Sequence, residues 1–471
     1  MPSAESSAGV CLCVDFGSTF TKAVLVDLTE GRIVAAGEHA TTIGTDVLDG
    51  YDACLAQLAD TDPRAASAEV LACSSAGGGL RIAVVGAEEL VTAEAGRRVA
   101  LSSGGRVVGV IAAADPVASR TGFAALVDST RPDVVLLTGG TDGGNAEVLL
   151  AAARDLVATG WRGPVVVAGN VEARDEVATI LGTLPHVLAD NVVPRIGVLA
   201  PDSARAAIRE MFLAHVIGGK HLSARADFTA MVRGATPDVV LTGVELLARG
   251  LDDDRPGVGD VVVVDIGGAT TDVHSVVEID PDTGLTEGGL AREVVATTPV
   301  TRTVEGDLGM RWSAVSTVEA AELAELADAA ARRHEDPAFL PSTPEEHDQD
   351  EAIAAAAIGL ALRRHAGRSR VVVSPEGRVV ERTGKDLREV DLLVGSGGVL
   401  RHGRPGVAGR VLAGSTGEDL ADGWQLPRRP DVVVDTDYVL AAAGLLVDRH
   451  PDAAYRLARR LVEDPMGSLS Q

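Results

Sequence analysis

The sequence predicts an α/β fold built from two similar halves, with a further α/β segment inserted. Three observations carry this expectation. A strand–Asp–x–Gly phrase occurs twice, as VCLCVDFGSTFTK over Val10–Lys22 and as VVVVDIGGATTD over Val261–Asp272. A third apolar run, LLVGSGG over Leu392–Gly398, also ends in a glycine-rich turn. Between the first and second phrases, from about residue 87, short buried-type strands alternate with helical stretches, the pattern of βαβ units on a parallel sheet.

Taken in order, Val10–Asp15, Lys22–Asp27 and Arg32–Thr41 read as closely spaced strands. Connections this short imply antiparallel pairing, because a parallel crossover needs a dozen or more residues. Asp46–Ala59 places apolar residues at helical spacing behind an Asp46 N-cap. Glu69–Ser74 and Leu80–Val85 are strands flanking the SSAGGG run at 74–79. Asp133–Thr138 ends in GGTDGGN before a helix near Ala146, and Pro164–Ala168 precedes a helix over Val171–Leu181. Ser203–Ile217 is a helix closed by Gly218-Gly219. After the second phrase come a polar hairpin near Asp280–Gly289, the segment Thr301–Trp312, a helix over Val315–Arg333 and an acidic loop over 334–349. A helix over Ala352–His365, strands at Val371–Val373 and Asp391–Val394, and a helix over Tyr438–Val447 complete the reading. The expected layout is a first lobe over 1–86, completed by a C-terminal helix near 436–450, then an inserted α/β domain with a parallel sheet over 87–202. A connecting helical region over 203–257, a second lobe over 258–435 and a C-terminal helix or tail over 451–471 make up the rest.

At 471 residues the chain suits about three domains at ~150 residues each. Aromatic residues are only 3% of it, so Ala, Val and Leu must fill the cores. Sixty-eight acidic against 42 basic residues give a net charge of −26, a field that repels nucleic acid and anionic lipid and argues against both as partners. No run reaches the ~18 apolar residues of a membrane span, and MPSAESSAGV lacks the basic and apolar regions of an export signal. The four cysteines fall at 11, 13, 54 and 73; Cys11 and Cys13 share one strand face, where burial is expected rather than metal binding. With no CxxC pair there is no zinc or iron–sulfur framework, and a reducing cytoplasm is the expected compartment.

The three glycine turns have the chemistry of a metal-bound polyphosphate site. Carboxylates hold a hydrated cation, while bare backbone N–H groups and hydroxyls hold phosphate oxygens. The aspartates are Asp15 and Asp265. The turn residues are Gly17, Ser18 and Thr19 in the first phrase, Gly267, Gly268 and Thr270 in the second, and Gly395, Ser396, Gly397 and Gly398 in the third. The turn TGGTDGGN at 138–145 stands open between phosphate or partner binding and a tight βα turn. His274, His215 and His221 read as packed or solvated rather than metal-bound.

Those phrases resemble the actin, heat-shock ATPase and sugar kinase superfamily. Its first phosphate loop is matched by Asp15, Gly17, Ser18, Thr19 and the later Lys22, its second by Asp265, Gly267, Gly268 and Thr270, and its adenosine loop by Gly395, Gly397 and Gly398. Ala269 departs from the glycine usual in the second loop. A narrower likeness spans nearly the whole chain: DFGSTFTK, LLTGGTDGGN, NVVPRIGVLAP, VDIGGATTDVHSV, TVEGDLGMRW and VGSGGVL look like the GlmL/MutL family, the accessory protein of adenosylcobalamin-dependent glutamate mutase. The resemblance implies a two-lobed actin-like ATPase of duplicated ribonuclease H-like domains, and a chaperone-like factor that reactivates a mutase by releasing damaged cobalamin. It implies ATP in a cleft between lobes, with Lys22 on the β-phosphate and Mg²⁺ held through water by Asp15 and Asp265. Asp265 is favoured over Asp272, Glu305 and Asp307 to orient the attacking water. Mutase subunits are the implied partners, with a homodimer as an open alternative.

Other classes fit the same scaffold: a small-molecule kinase, or a filament-forming or scaffold ATPase. Few aromatics are present to stack a sugar, and the cysteines are wrongly placed for the cluster of an iron–sulfur dehydratase activator.

Overall fold

The computed structural model describes residues 9–113, 116–278, 298–374, 377–417 and 423–463. They fall into two compact units, one holding the chain to Thr242 together with Gly444–Ala454, the other most of Gly243–Ala443 and the chain from Tyr455.

In the first unit, β1 (Val10–Phe16), β2 (Phe20–Asp27) and β3 (Arg32–Ala40) form an antiparallel meander. β4 (Glu69–Ser74) lies parallel to β1 on its other side. Every residue of β1 is buried, as suits a central strand covered on both faces. The helix Val47–Thr61 is capped as its sequence predicts, Asp46 accepting from the Leu48 N–H, and it turns Leu48, Tyr51, Cys54 and Leu58 inward.

β5 (Leu80–Gly86), β6 (Gly105–Ala112), β7 (Val134–Leu137), β8 (Val165–Val167) and β9 (His186–Leu188) make a second, wholly parallel sheet in the order β6-β5-β7-β8-β9. This corrects the expected boundary at residue 87. Leu80–Gly86 is not the end of the first lobe but an inner strand of the inserted sheet, flanked by β6 and β7. The change of sheet happens in the preceding glycines, where Gly77, Gly78 and Gly79 all take positive φ. β10 (Val232–Ala235) then returns to pair in parallel with β4, so part of the expected connecting region 203–257 belongs to the first sheet. Four residues are too short a run to show a strand period.

The second unit repeats the first. β11 (Val261–Ile266), β12 (Thr271–Val276) and β13 (Val300–Glu305) are antiparallel, and β14 (Leu392–Ser396) and β15 (Asp431–Val434) continue in parallel on the far side of β11. The two five-stranded sheets, β3-β2-β1-β4-β10 and β13-β12-β11-β14-β15, share one order and one set of directions. This is the duplicated ribonuclease H-like topology of the actin-like fold.

The helix Pro344–His365 buries Ile353, Ala354, Ala357, Ile358, Ala361 and Leu362 in the core of this unit. It starts inside the expected loop 334–349, because Thr343 and Glu346 form a reciprocal capping box ahead of Pro344. The expected helix 315–333 is broken into Ala314–Ala320, a 3₁₀ turn at Ala324–Leu326 and Ala327–Glu335, with Glu322 at φ +57°. The hairpin expected near 280–289 lies outside the described residues.

Candidate functional site

The two strand–Asp–x–Gly phrases fold into the same hairpin. Gly17 N–H donates to the Phe20 carbonyl at 3.1 Å, and Gly267 N–H to the Thr270 carbonyl at 2.8 Å. A Cβ at Gly17 would stand 2.5 Å from the Phe20 oxygen, so the first turn closes only around a glycine. Each turn is braced through its carbonyls. Thr41 Oγ1 donates to the Gly17 carbonyl at 2.8 Å, and the Thr41 N–H to that of Thr19 at 2.8 Å. In the second unit Met310 N–H reaches the Gly267 carbonyl at 3.0 Å, Arg311 N–H that of Gly268 at 2.8 Å, and Ser313 Oγ that of Ala269 at 2.6 Å. Ser18 and Thr19 are exposed.

Asp15, next to last in β1, is almost buried beside Lys22 in the β1–β2 register, with Lys22 Nζ 3.9 Å from its Oδ2. Thr236 Oγ1 donates to Asp15 Oδ1 at 2.6 Å, and the Cys73 thiol lies 3.6 Å from the same oxygen. Burial, then the Asp15 charge, hold the Cys73 thiol well above its usual range, so it stands there as a neutral group. Sequence reading missed Thr236, which lies over two hundred residues from Asp15 with only the short strand β10 before it.

Asp265 occupies the equivalent place in the second unit, half-buried at the end of β11 and paired in register with Asp272 and Ser396. The other acidic candidates are engaged elsewhere. Arg302 Nε donates to Asp272 Oδ1 at 2.9 Å. Arg364 holds both Glu305 at 2.8 Å and Asp307 at 2.7 Å, and its hydrogen bonds keep the Asp307 carboxyl below its ordinary range.

The third turn meets the second within this unit. Gly397 takes φ +114°, and a Cβ there would collide with the Ile266 carbonyl at the end of β11. Beyond it, Asp435 N–H donates to the Gly395 carbonyl at 2.9 Å, while the Asp435 side chain caps the helix Val439–Leu446 by accepting from Val439 and Leu440 N–H. Burial pushes the Asp435 carboxyl up to about 6. Arg401 donates to the Thr436 carbonyl at 2.6 Å and lies 3.6 Å over the Tyr438 ring. This cluster had a readable signal, because VVVDTD repeats the strand–Asp pattern at 432–437.

The 138–145 turn is tied down as a βα connection. Asn191 Nδ2 donates to the Gly140 carbonyl at 2.9 Å and to Asp142 at 2.8 Å, and Asn170 Nδ2 to the Gly144 carbonyl at 3.1 Å. His274 is buried and held well below its usual pKa by burial and then by Arg302. Neither it, His215 nor His221 joins a group of metal-ligating side chains among the described residues.

The family profile described as "MutL protein" matches residues 11–462. The chain belongs to this family. It is 37% identical to Protein MutL of Clostridium tetanomorphum over 467 residues, covering 95% of this chain and 98% of that one. Among solved structures, it is similar to the activator of the 2-hydroxyisocaproyl-CoA dehydratase from Clostridium difficile with bound ADPNP, at 10% identity and TM-score 0.30, over 98% of this chain and 100% of that one. The ethanolamine utilization protein EutJ of Carboxydothermus hydrogenoformans gives 11% identity and TM-score 0.27, over 97% and 91%. Likenesses at these scores carry no weight of their own; membership rests on the sequence match and the fold on the strand order. No helix among the described residues is long and apolar enough to cross a membrane.

Proposed function

We propose that this chain is a Mg-ATP-driven, chaperone-like ATPase that reactivates an adenosylcobalamin-dependent mutase of the glutamate mutase type. The observation that supports it most is the duplication: both five-stranded sheets end their first strand in an aspartate and a braced glycine hairpin. Backbone N–H groups of Gly17–Thr19 and Gly267–Thr270 would hold phosphate oxygens, with Lys22 as a point charge on the β-phosphate. Gly395–Gly398 would let the backbone approach adenosine. Asp15 and Asp265 each offer only oxygens, which suits a hard ion, and Asp15 has one oxygen fixed by Thr236. When bound through its waters to these two carboxylates, Mg²⁺ would neutralise charge on the triphosphate. Asp265 is our choice to orient the attacking water, because it stands at the end of β11 beside the glycine turn, in the place that Asp15 holds in the first unit.

Family membership supports the mutase link. All four cysteines are buried free thiols, which suits the cytoplasm we assign. The test is to inactivate a glutamate mutase by turnover, then add the purified chain, Mg-ATP and fresh coenzyme. Recovery of activity that needs hydrolysable ATP is expected; no recovery overturns the proposal. ATP-dependent phosphorylation of a metabolite would favour the kinase reading instead.

A further inference from the structure

We propose that Cys11, Glu69 and His450 form a site for one thiolate-bound divalent ion of the zinc class, fastening the Gly444–Ala454 segment to the first sheet. One ligand atom from each lies within 4.8 Å of the other two. Cys11 and Glu69 are register partners on the parallel pair β1–β4, so their side chains leave the sheet on one face side by side. His450 comes after the helix Val439–Leu446, and its Nε2 stands 2.9 Å from Glu69 Oε2.

The two carboxylate oxygens are divided. Arg449 pairs with Oε1, which leaves Oε2 on the side of the imidazole. A ligating carboxylate steadied at its other oxygen by a hydrogen-bond donor is the usual outer arrangement of a metal site. Cys13, two positions along the same strand face, has its thiol hydrogen-bonded to that of Cys11 and stands outside the trio of ligands. Sulfur, nitrogen and oxygen in this combination suit zinc, whose bonds of about 2.0–2.3 Å set ligand atoms roughly 3.5 Å apart. Closing from the present spacing takes a side-chain adjustment rather than a backbone shift.

The surroundings also select among ions. Arg449 and Arg233 add positive charge beside Glu69 and Cys11, which opposes a weakly held Mg²⁺ or Ca²⁺. An ion that gains a covalent-like bond to a deprotonated thiol offsets that repulsion. This site therefore differs in chemistry from the carboxylates Asp15 and Asp265, which offer oxygen alone. The C–x–C spacing alone does not reveal it, because the histidine comes from the other end of the chain.

The experiment uses the full chain, stripped of metal and kept reduced without nucleotide. Zinc is titrated against a chromophoric chelator, and cobalt is followed by its absorption spectrum. One zinc per chain is expected, undisturbed by excess Mg²⁺, with a cobalt spectrum showing a sulfur-to-metal charge-transfer band. Glu69→Gln and His450→Gln, both at half-buried positions, should each weaken zinc at least about tenfold, and Cys11→Ser should remove the charge-transfer band. The proposal is overturned if the wild-type chain fails to compete for zinc, if His450→Gln keeps wild-type affinity, or if the cobalt band survives in Cys11→Ser.

Discussion

Gly397→Ala and Gly398→Ala, neighbours in one turn, should behave differently. Gly397 sits at φ +114°, where a side chain is strained, and its Cβ would run into the Ile266 carbonyl at the end of β11. Strain in that region costs about 1–3 kcal/mol, and pushing a packed backbone aside costs about as much again. The variant should therefore lose roughly 2–5 kcal/mol from the second unit. Gly398 opens the short helix Gly398–Arg401 with nothing within 4 Å of an added Cβ, so alanine there should leave stability within about 1 kcal/mol of wild type. Urea unfolding followed by circular dichroism reads the difference, and calorimetric titration with ADP reads the site. Gly397→Ala should weaken ADP at least about tenfold, or about 1.4 kcal/mol, because relief of the clash moves the strand end carrying Asp265. Gly398→Ala should weaken it while leaving the fold intact, because the methyl would fill the space that our proposal gives to the nucleoside. Equal stability of the two variants would refute the steric argument. Undiminished ADP binding by Gly398→Ala would refute the assignment of this turn to adenosine.

Asp15→Ala and Asp265→Ala should each abolish Mg-ATP turnover with the circular dichroism spectrum unchanged; wild-type hydrolysis in either removes its assigned role. Arg364→Ala should leave turnover within a few-fold of wild type and cost at most about 1 kcal/mol, as a partly exposed ion pair does; loss of turnover would return Glu305 or Asp307 to the site. Asp435 has its carboxyl raised to about 6 by burial, against 3.8 for the free group. A raised acid binds its proton more tightly folded than unfolded, so its charged form weakens the fold above that value and the penalty is relieved as pH falls from 7 towards 4. Relative to Asp435→Asn, wild-type stability in urea should rise by roughly 2 kcal/mol over that range; parallel pH profiles would show that the carboxyl does not titrate there.

The parts of the fold legible in the sequence were those whose signal is local. The meander β1–β3 shows in its short connections, the Asp46 cap in its place before an apolar period, and both strand–Asp–x–Gly hairpins in the glycine that closes each. The missed parts depend on pairing at a distance. β10 and β15 are four residues each and become strands only because β4 and β14 offer an edge. Leu80–Gly86 reads as a strand, but nothing local says which sheet it joins. Thr236 reaches Asp15, and Arg302 reaches Asp272, only through the sheets that carry them.

The duplication also explains why the halves cannot be interchangeable. On each first strand the terminal aspartate faces a fixed register partner across the hairpin: Lys22 for Asp15, Asp272 for Asp265. A cation in the first position balances its aspartate. Two carboxylates in the second would repel each other, and the structure answers with Arg302, which takes Asp272 out of that contest. On our proposal that Asp265 aligns the attacking water, this offset of the neighbouring negative charge preserves its own charge for that task. Replacing Arg302 with Met should therefore lower turnover by disturbing Asp272 next to Asp265, with Lys22 and the first turn untouched. A variant with normal turnover and normal Mg²⁺ dependence would show that the asymmetry of the two hairpins has no bearing on catalysis.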